Sequence, residues 1–338
     1  MNNRRSMPRR VPPKKKKKNN DLYVFLFILL IVFILFFVIR CAVNMSDKKT
    51  PGEVSAVAEF SESETTTQPK VIVPAIQLGD EIHSKYAVFY NISRDETICE
   101  KNPDTIAFPA SLTKIMTSII AIERIDPSKY DDTIIITQDI IDFLFRQNAA
   151  TAGFEAKEEV KIIDLLYGVM LPSGAEASIA VANYVAGSES RFADLMNEKA
   201  KELGCNNTNF VNVTGLHDEN HYTTASDMAK ILTYSIKNEM FRSIFTRMMS
   251  YTTSPTNIHE EGITFSNTTY IAFSQNNFYM GFIIGGKTGF TNEACLCLAT
   301  YAVIGGNDYI LITMGAGEGD NKTAYHVMDA VAIYGEYT

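Results

Sequence analysis

From Pro109 the chain reads Pro-Ala-Ser-Leu-Thr-Lys-Ile-Met-Thr and stays largely apolar to Ile125. Leu112, Ile115, Met116, Ile119, Ile120 and Ile122 recur at helical spacing, and Asp126-Pro127 ends the pattern. Pro109 suits a first helical turn, because its φ is fixed and it has no N–H to leave unpaired. Most of a helix this apolar must be buried, so the rest of the chain has to supply the elements that cover it. One polar stripe interrupts it: Ser111, Lys114 and Ser118 stand at i, i+3 and i+7, on one line.

That stripe puts a hydroxyl one turn from an amine. A serine hydroxyl is a weak nucleophile until a neighbour takes its proton. A lysine can do so when burial or a nearby cation disfavours its charged form. The pattern alone is not diagnostic, since a chain of this length holds roughly one or two Ser-x-x-Lys by chance. Ser46 and Lys49 form another, in a polar segment with no helical pattern. The weight therefore falls on what accompanies Ser111 and Lys114.

Residues 1–20 hold nine basic residues and no acid, leaving 22 basic against 39 acidic in the rest. A basic tail can mark nucleic-acid binding. Here Leu22–Ile39 follows at once, an unbroken apolar and aromatic run of 18 residues, long enough to span a bilayer. Positive charge before it predicts a cytoplasmic tail and an exported remainder. The run is long for a signal-peptide core, and Ile39-Arg40-Cys41-Ala42 offers no small-x-small cleavage site, so an uncleaved anchor is expected. The expected organisation is a tail over 1–21, a transmembrane helix over 22–40, a linker over 41–72 and one domain over 73–338. The linker is polar, acidic and rich in Ser and Thr, without periodic apolar residues.

Five cysteines with no Cys-x-x-Cys argue against a disulfide framework or a zinc ribbon. Cys99, Cys205, Cys295 and Cys297 read as small core residues. Five scattered histidines contain no His-Glu-x-x-His, and neither a metal nor a cofactor is expected.

Along the domain, Tyr86–Tyr90 and Glu96–Cys99 flank a polar turn and predict a hairpin leading into the Ser111 helix. Thr133–Thr137 reads as a short strand, followed by a glycine-bearing polar loop near Gly153. Val160–Met170 reads as a helix with Val160, Ile163, Leu166, Tyr167 and Met170 on its core face. Leu171-Pro172-Ser173-Gly174 breaks it, and further helices are expected over 175–185 and 188–203. After Met249 strands are expected at Ile283–Thr288, Ala294–Ile304 and Asp308–Met314, the last two joined at Gly305-Gly306. A closing helix is expected from Thr323 to Tyr334. The fold class is α+β: an antiparallel sheet flanked by helices, plus a mainly helical subdomain.

Three features accompany Ser111 and Lys114. Ser173 sits in a proline-broken link between helices, where a hydroxyl can project into a cleft. Lys287-Thr288-Gly289 ends an apolar strand, presenting an amine and a hydroxyl beside a glycine that admits a close backbone approach. The third is the string from Thr214 to Met228. The order Ser-x-x-Lys, then Ser173 in the second place, then Lys-Thr-Gly resembles the penicillin-binding, serine-based acyl-enzyme families. More narrowly, Pro109–Thr117, Gly215–Ala225 and Gly286–Ala294 resemble the low-molecular-weight D-alanyl-D-alanine carboxypeptidases, over about residues 73–338.

The resemblance implies that Ser111 attacks the carbonyl between two D-alanines and carries the acyl group, with Lys114 as its base. Ser173 is implied to relay a proton to the leaving amine. Lys287 is implied to add positive potential that binds substrate and holds Lys114 neutral, and Thr288 to grip the terminal carboxylate. Gly289 falls in the substrate-binding strand, and the N–H groups of Ser111 and Phe290 are implied to form the oxyanion hole. The implied substrate is a peptidoglycan stem peptide ending in D-Ala-D-Ala, with β-lactams as inhibitors acylating the same serine.

The chain departs from the family pattern twice. Ala175 stands where the second motif usually carries Asn, removing an amide that would bond substrate and position Lys114. No Arg stands near the start of the last helix, where the family often uses one for the carboxylate; Lys322 is the nearest cation. Two alternatives follow. One is a catalytically weak sensor of peptidoglycan or β-lactams. The other is a β-lactamase, against which stands the lack of a Glu-x-x-x-Asn loop after the second motif. A nucleic-acid role is disfavoured, because the basic tail abuts the apolar run and the domain beyond is acidic.

Overall fold

In the computed structural model the described residues are 74–278, 281–317 and 323–337. The basic tail, the Leu22–Ile39 run, the linker and Lys322 lie outside them. Among the described residues no helix is long and apolar enough to cross a membrane.

In chain order the elements are β1 (Ile76–Gln77), β2 (Tyr86–Asn91), β3 (Glu96–Lys101), α1 (Thr113–Arg124), β4 (Thr133–Ile135), α2 (Gln138–Gln147), β5 (Glu159–Lys161), α3 (Ile162–Met170), α4 (Ala175–Ala186) and α5 (Glu189–Glu202). Then come α6 (Ala225–Ile236), α7 (Glu239–Phe245), β6 (Ser250–Thr252), β7 (Thr264–Ser266), α8 (Thr268–Gln275), β8 (Ile283–Thr291), β9 (Cys295–Ile304), β10 (Asn307–Ala316) and α9 (Tyr325–Tyr337). The main sheet has the order β1-β3-β2-β10-β9-β8 and is antiparallel except for the β1–β3 pair. The hairpin that precedes the helices and the three strands that follow them therefore join in one sheet, with β10 against β2. The fold is α+β, as its alternation of patterns implies.

Period-2 alternation divides the sheet between two cores. Val88, Ile310, Ile312 and Met314 face the helical block and pack with α1. Ala87, Phe89, Leu298 and Leu311 face the other way, against Val327, Ala330, Ile333 and Tyr334 of α9. Because β9 is covered on both faces, it reads as a near-continuous apolar run. Helix α1 lies in the first core, with every residue from Thr113 to Ile122 buried.

Several local assignments differ from the sequence reading. Val160 belongs to β5, paired with Ile134 of β4, so its burial comes from strand pairing and the helix begins two residues later. Helix α2 is absent from the sequence reading; only Ile140 and Leu144 are buried in it, and Phe145 is 88% exposed. Helix α8 was not expected either. It begins at Asn267, whose side chain accepts from the N–H groups of Thr269 and Tyr270. Cys99, Cys205, Cys295 and Cys297 are all buried.

One buried carboxylate ties α9 to the start of β2. Asp329 Oδ1 accepts from His83 N at 2.9 Å and faces His83 Nδ1 at 3.0 Å; Oδ2 accepts from Ser84 N at 2.7 Å and Ser84 Oγ at 2.5 Å. Asp329→Ala leaves the buried Ser84 N–H and hydroxyl without an acceptor. It is expected to cost roughly 2–3 kcal/mol, seen as a lower urea midpoint with an unchanged m-value.

Candidate active site

The nucleophile turn is not simply the first turn of a helix. Pro109 caps a short 3₁₀ turn, Ala110–Leu112, and α1 begins at Thr113. Ala110 takes φ +45°, a conformation L-residues seldom adopt and one that needs support from its surroundings. Part of that support is a hydrogen-bond chain. Val211 N–H donates to His221 Nδ1 at 3.1 Å, which leaves the ring proton on Nε2. Nε2 faces Thr113 Oγ1 at 2.7 Å, and that hydroxyl donates to the Ala110 carbonyl at 2.8 Å. Burial pushes the His221 pKa down to about 4, so the chain is neutral.

Ser111 stands on this turn and Lys114 on the next, and Lys114 Nζ lies 3.2 Å from Ser111 Oγ. Nζ also donates to the Thr214 carbonyl at 2.5 Å. Thr214 is itself held: Asn212 Oδ1 accepts from Thr214 N, Thr214 Oγ1 and Gly215 N at 3.1, 3.1 and 2.8 Å. Lys114 is 2% exposed. Desolvation brings its pKa down to about 7, although the Glu176 carboxylate acts in the opposite direction. Near neutral pH a large share of Lys114 is thus the free amine. Ser118, the third member of the stripe, is buried and its Oγ finds no partner among the described residues.

Ser173 reaches the same place from the link between α3 and α4. It takes φ +68° and accepts from Lys287 Nζ at 2.9 Å. Lys287 also donates to the Thr288 carbonyl at 2.7 Å and is fully buried. Desolvation, then the charge on Lys114, pushes its pKa well down. Lys287 thus lies behind the cleft wall and meets the site through its hydrogen bond to Ser173. Thr288 Oγ1 donates to Thr268 Oγ1 at 2.8 Å. At Gly289 the close approach comes from the chain itself: a Cβ there would lie 3.0 Å from Ser111 N and 3.2 Å from Pro109 O. That glycine lets β8 press on the nucleophile turn.

Ala175 is buried, and its N–H donates to the Ala150 carbonyl at 3.0 Å. The residue after it does work the sequence did not reveal. Glu176 Oε1 accepts from the N–H groups of Ala152, Gly153 and Phe154 at 2.6, 2.9 and 3.3 Å, fixing the chain just beyond Asn148 and Ala150, which line the cleft. Burial raises its pKa against the pull of those donors.

Two cavities meet at the nucleophile. One of about 630 Å³ is lined by Ser111, Ser173, Thr268, Thr288, Gly289 and His326, among others. The other, of about 380 Å³, is lined by Ser111, Lys114, Ala175, Thr214, His217 and Glu293, among others. Asn148, Ala150 and Phe290 line both. The structure thus gathers Ser111, Lys114, Ser173, Lys287, Thr288, Gly289 and Phe290 around one cleft, with Lys287 behind its wall. Glu176 and His326 were not singled out from sequence, since isolated polar residues carry no spacing to mark them; His221 lies in the Gly215–Ala225 stretch that carried the resemblance, without a role assigned to it.

A hydroxyl beside a buried amine, with a second hydroxyl–amine pair adjoining, is an arrangement for acyl transfer through serine. The family model described as D-alanyl-D-alanine carboxypeptidase matches residues 69–318. The chain is 32% identical to D-alanyl-D-alanine carboxypeptidase DacF of Bacillus subtilis over 71% of its length and spans 59% of that relative. It is 28% identical to the D-alanyl-D-alanine endopeptidase of Escherichia coli, covering 79% of this chain and 78% of that one. The crystal structure of the Streptomyces K15 DD-transpeptidase aligns with a TM-score of 0.66 at 28% identity, over 75% of this chain and 96% of that one. With that model spanning most of its 338 residues, the chain belongs to the S11 peptidases, the D-alanyl-D-alanine carboxypeptidase family.

Proposed function

We propose that this protein is a membrane-anchored serine DD-carboxypeptidase that removes the terminal D-alanine from peptidoglycan stem peptides through an acyl-enzyme on Ser111. The observation that carries the reading is the 3.2 Å approach of Ser111 Oγ to the buried Lys114 amine. Neutral Lys114 takes the Ser111 proton as Oγ adds to the carbonyl carbon of the penultimate D-alanine. The oxyanion rests on the N–H groups of Ser111 and Phe290. Ser173, bonded to Lys287, passes its proton to the departing amine and is reprotonated by the Lys114 ammonium, so D-alanine leaves and Lys114 is again the free amine. Water, deprotonated by Lys114, then opens the ester and restores Ser111. A β-lactam acylates the same oxygen, its ring amide taking the place of the peptide bond. Leu22–Ile39 is the membrane anchor in this reading, with the basic tail cytoplasmic and the catalytic domain outside.

The test is D-alanine release from a stem pentapeptide ending in D-Ala-D-Ala. A fluorescent penicillin that labels Ser111 while no D-alanine appears would replace the carboxypeptidase with the sensor reading, which the alanine at position 175 favours. For the anchor, the purified membrane fraction should retain the chain through a high-salt wash and release it in detergent; release by salt alone would exclude a spanning segment.

A pH dependence follows from Lys114. The base works only as the free amine, and its pKa is lowered to about 7. The expected kcat/KM is flat above that value and falls about tenfold per unit below it. A profile flat down to pH 5 would remove Lys114 from the role of base.

A further inference from the structure

The larger cavity ends against the first turn of α9. Thr268, Thr288, Leu296, Ala324 and His326 line it there, in the same cavity as Ser111. His326 is 6% exposed, and its Nδ1 is buried with no hydrogen-bond partner among the described residues. A buried ring nitrogen without a partner is uncommon in a folded protein and calls for an explanation. Its neighbour one turn on, Asp329, is already occupied by His83 and Ser84. Burial pushes the His326 pKa down to about 4, so the ring is neutral near pH 7. A neutral imidazole has one N–H. With Nδ1 sealed away from solvent and from acceptors, the tautomer protonated at Nε2 is the one that offers a donor to the cavity.

We propose that His326 is a specificity-determining residue, donating a hydrogen bond from Nε2 to the carboxyl end of the leaving D-alanine. The proposal rests on the carboxypeptidase reading above and adds to it a residue that reads the leaving group. The other polar groups of this cavity are differently placed. The Thr288 hydroxyl is committed to Thr268, and the Lys287 amine to Ser173 and the Thr288 carbonyl. Asn148 and Gln275 line the cavity but are exposed to water. Among the described residues that line it there is no Lys or Arg. Ser173 and His326 line it as equally buried donors; the Ser173 hydroxyl serves the leaving amine in the reading above, which leaves His326 for the carboxylate, and in low-dielectric surroundings such a hydrogen bond is stronger than at the surface.

The experiment compares two stem-type tripeptides, one ending in a free D-Ala-D-Ala carboxylate and one in its C-terminal carboxamide. The full-length chain, His326→Ala and His326→Gln are assayed for release of D-alanine or D-alaninamide. The wild type is expected to prefer the free acid. His326→Ala is expected to lose roughly tenfold to a hundredfold in kcat/KM on the acid and less than about threefold on the amide. His326→Gln keeps an N–H donor and is expected to retain most of the acid-to-amide ratio. A merely structural role would lower both rates together and leave that ratio unchanged. If His326→Ala does not fold, the ratio in His326→Gln decides, and a collapse there overturns the proposal. A wild type active on both peptides, with a ratio that neither variant moves, overturns this proposal alone. A wild type inert toward both, with Ser111 unlabelled by penicillin, overturns the carboxypeptidase reading and this proposal with it.

Discussion

Ser111→Ala is expected to lower kcat/KM for D-alanine release by at least about 10⁴-fold and to abolish covalent labelling by penicillin. The size follows from the chemistry. Ser111 Oγ is the atom that forms the bond, and no other hydroxyl is placed to inherit the role: Ser173 Oγ already accepts from Lys287. Water could take the vacated space, but the acyl-enzyme route would be closed and what remained would be cavity binding and oxyanion stabilisation. The fold should be untouched, because Ser111 Oγ is bonded only to Lys114. Steady-state release, intact-protein mass after penicillin and thermal unfolding would be read together. Residual turnover within a hundredfold of wild type, at an unchanged melting temperature, would mean that another group is the nucleophile.

Gly215→Ala is expected to disable the same turn from the opposite side. Gly215 holds φ +80°, and a Cβ there would lie 1.9 Å from the Ala110 carbonyl oxygen and 2.9 Å from Ser111 N. Neither neighbour is the free end of a side chain, so the backbone of one segment must move. The left-handed conformation costs an L-residue about 1–2 kcal/mol, and overpacking adds about 1–3 kcal/mol. For a domain this size that corresponds to a fall in melting temperature of roughly 5–20 °C. The displaced segments carry the Ala110 carbonyl, the Ser111 N–H and, one residue before Gly215, the carbonyl that accepts from Lys114. A shift near 1 Å at such a place costs on the order of a hundredfold in rate. The check is the penicillin acylation rate with calorimetry on the same preparation. Acylation at the wild-type rate would show that the turn absorbs the methyl, and that the contact does not position Ser111.

How much could be read without the structure depends on how local each feature is. Ser111 and Lys114 were legible because three residues on a helical turn bring two side chains together whatever the rest of the chain does. The strand pattern of Ile310, Leu311 and Ile312 was legible for the same reason, but not the fact that β10 pairs with β2, since alternation names a strand's faces and not its neighbours. Val160 fits a helix or a strand equally well by sequence, because an isolated apolar residue suits either period; its pairing with Ile134 decides the matter. Ser173 and Lys287 stand 114 residues apart, and only family resemblance suggested that they belong together. Glu176 and His326 had no such help, and each is defined by what surrounds it.

The chain's own order of residues settled the α+β class, the burial of α1 and the Ser111–Lys114 pair, all consequences of spacings of a few residues. The folded arrangement settled the state of that pair. Thr214, Glu176 and Lys287 arrive from distant parts of the chain, and the enclosed packing around Lys114 removes the water that would stabilise its charge. That desolvation brings its pKa to about 7 and converts an ordinary surface-type ammonium into a group able to accept a proton. A pKa is set by everything within a few ångströms of the titrating atom, and sequence distance carries almost none of that information.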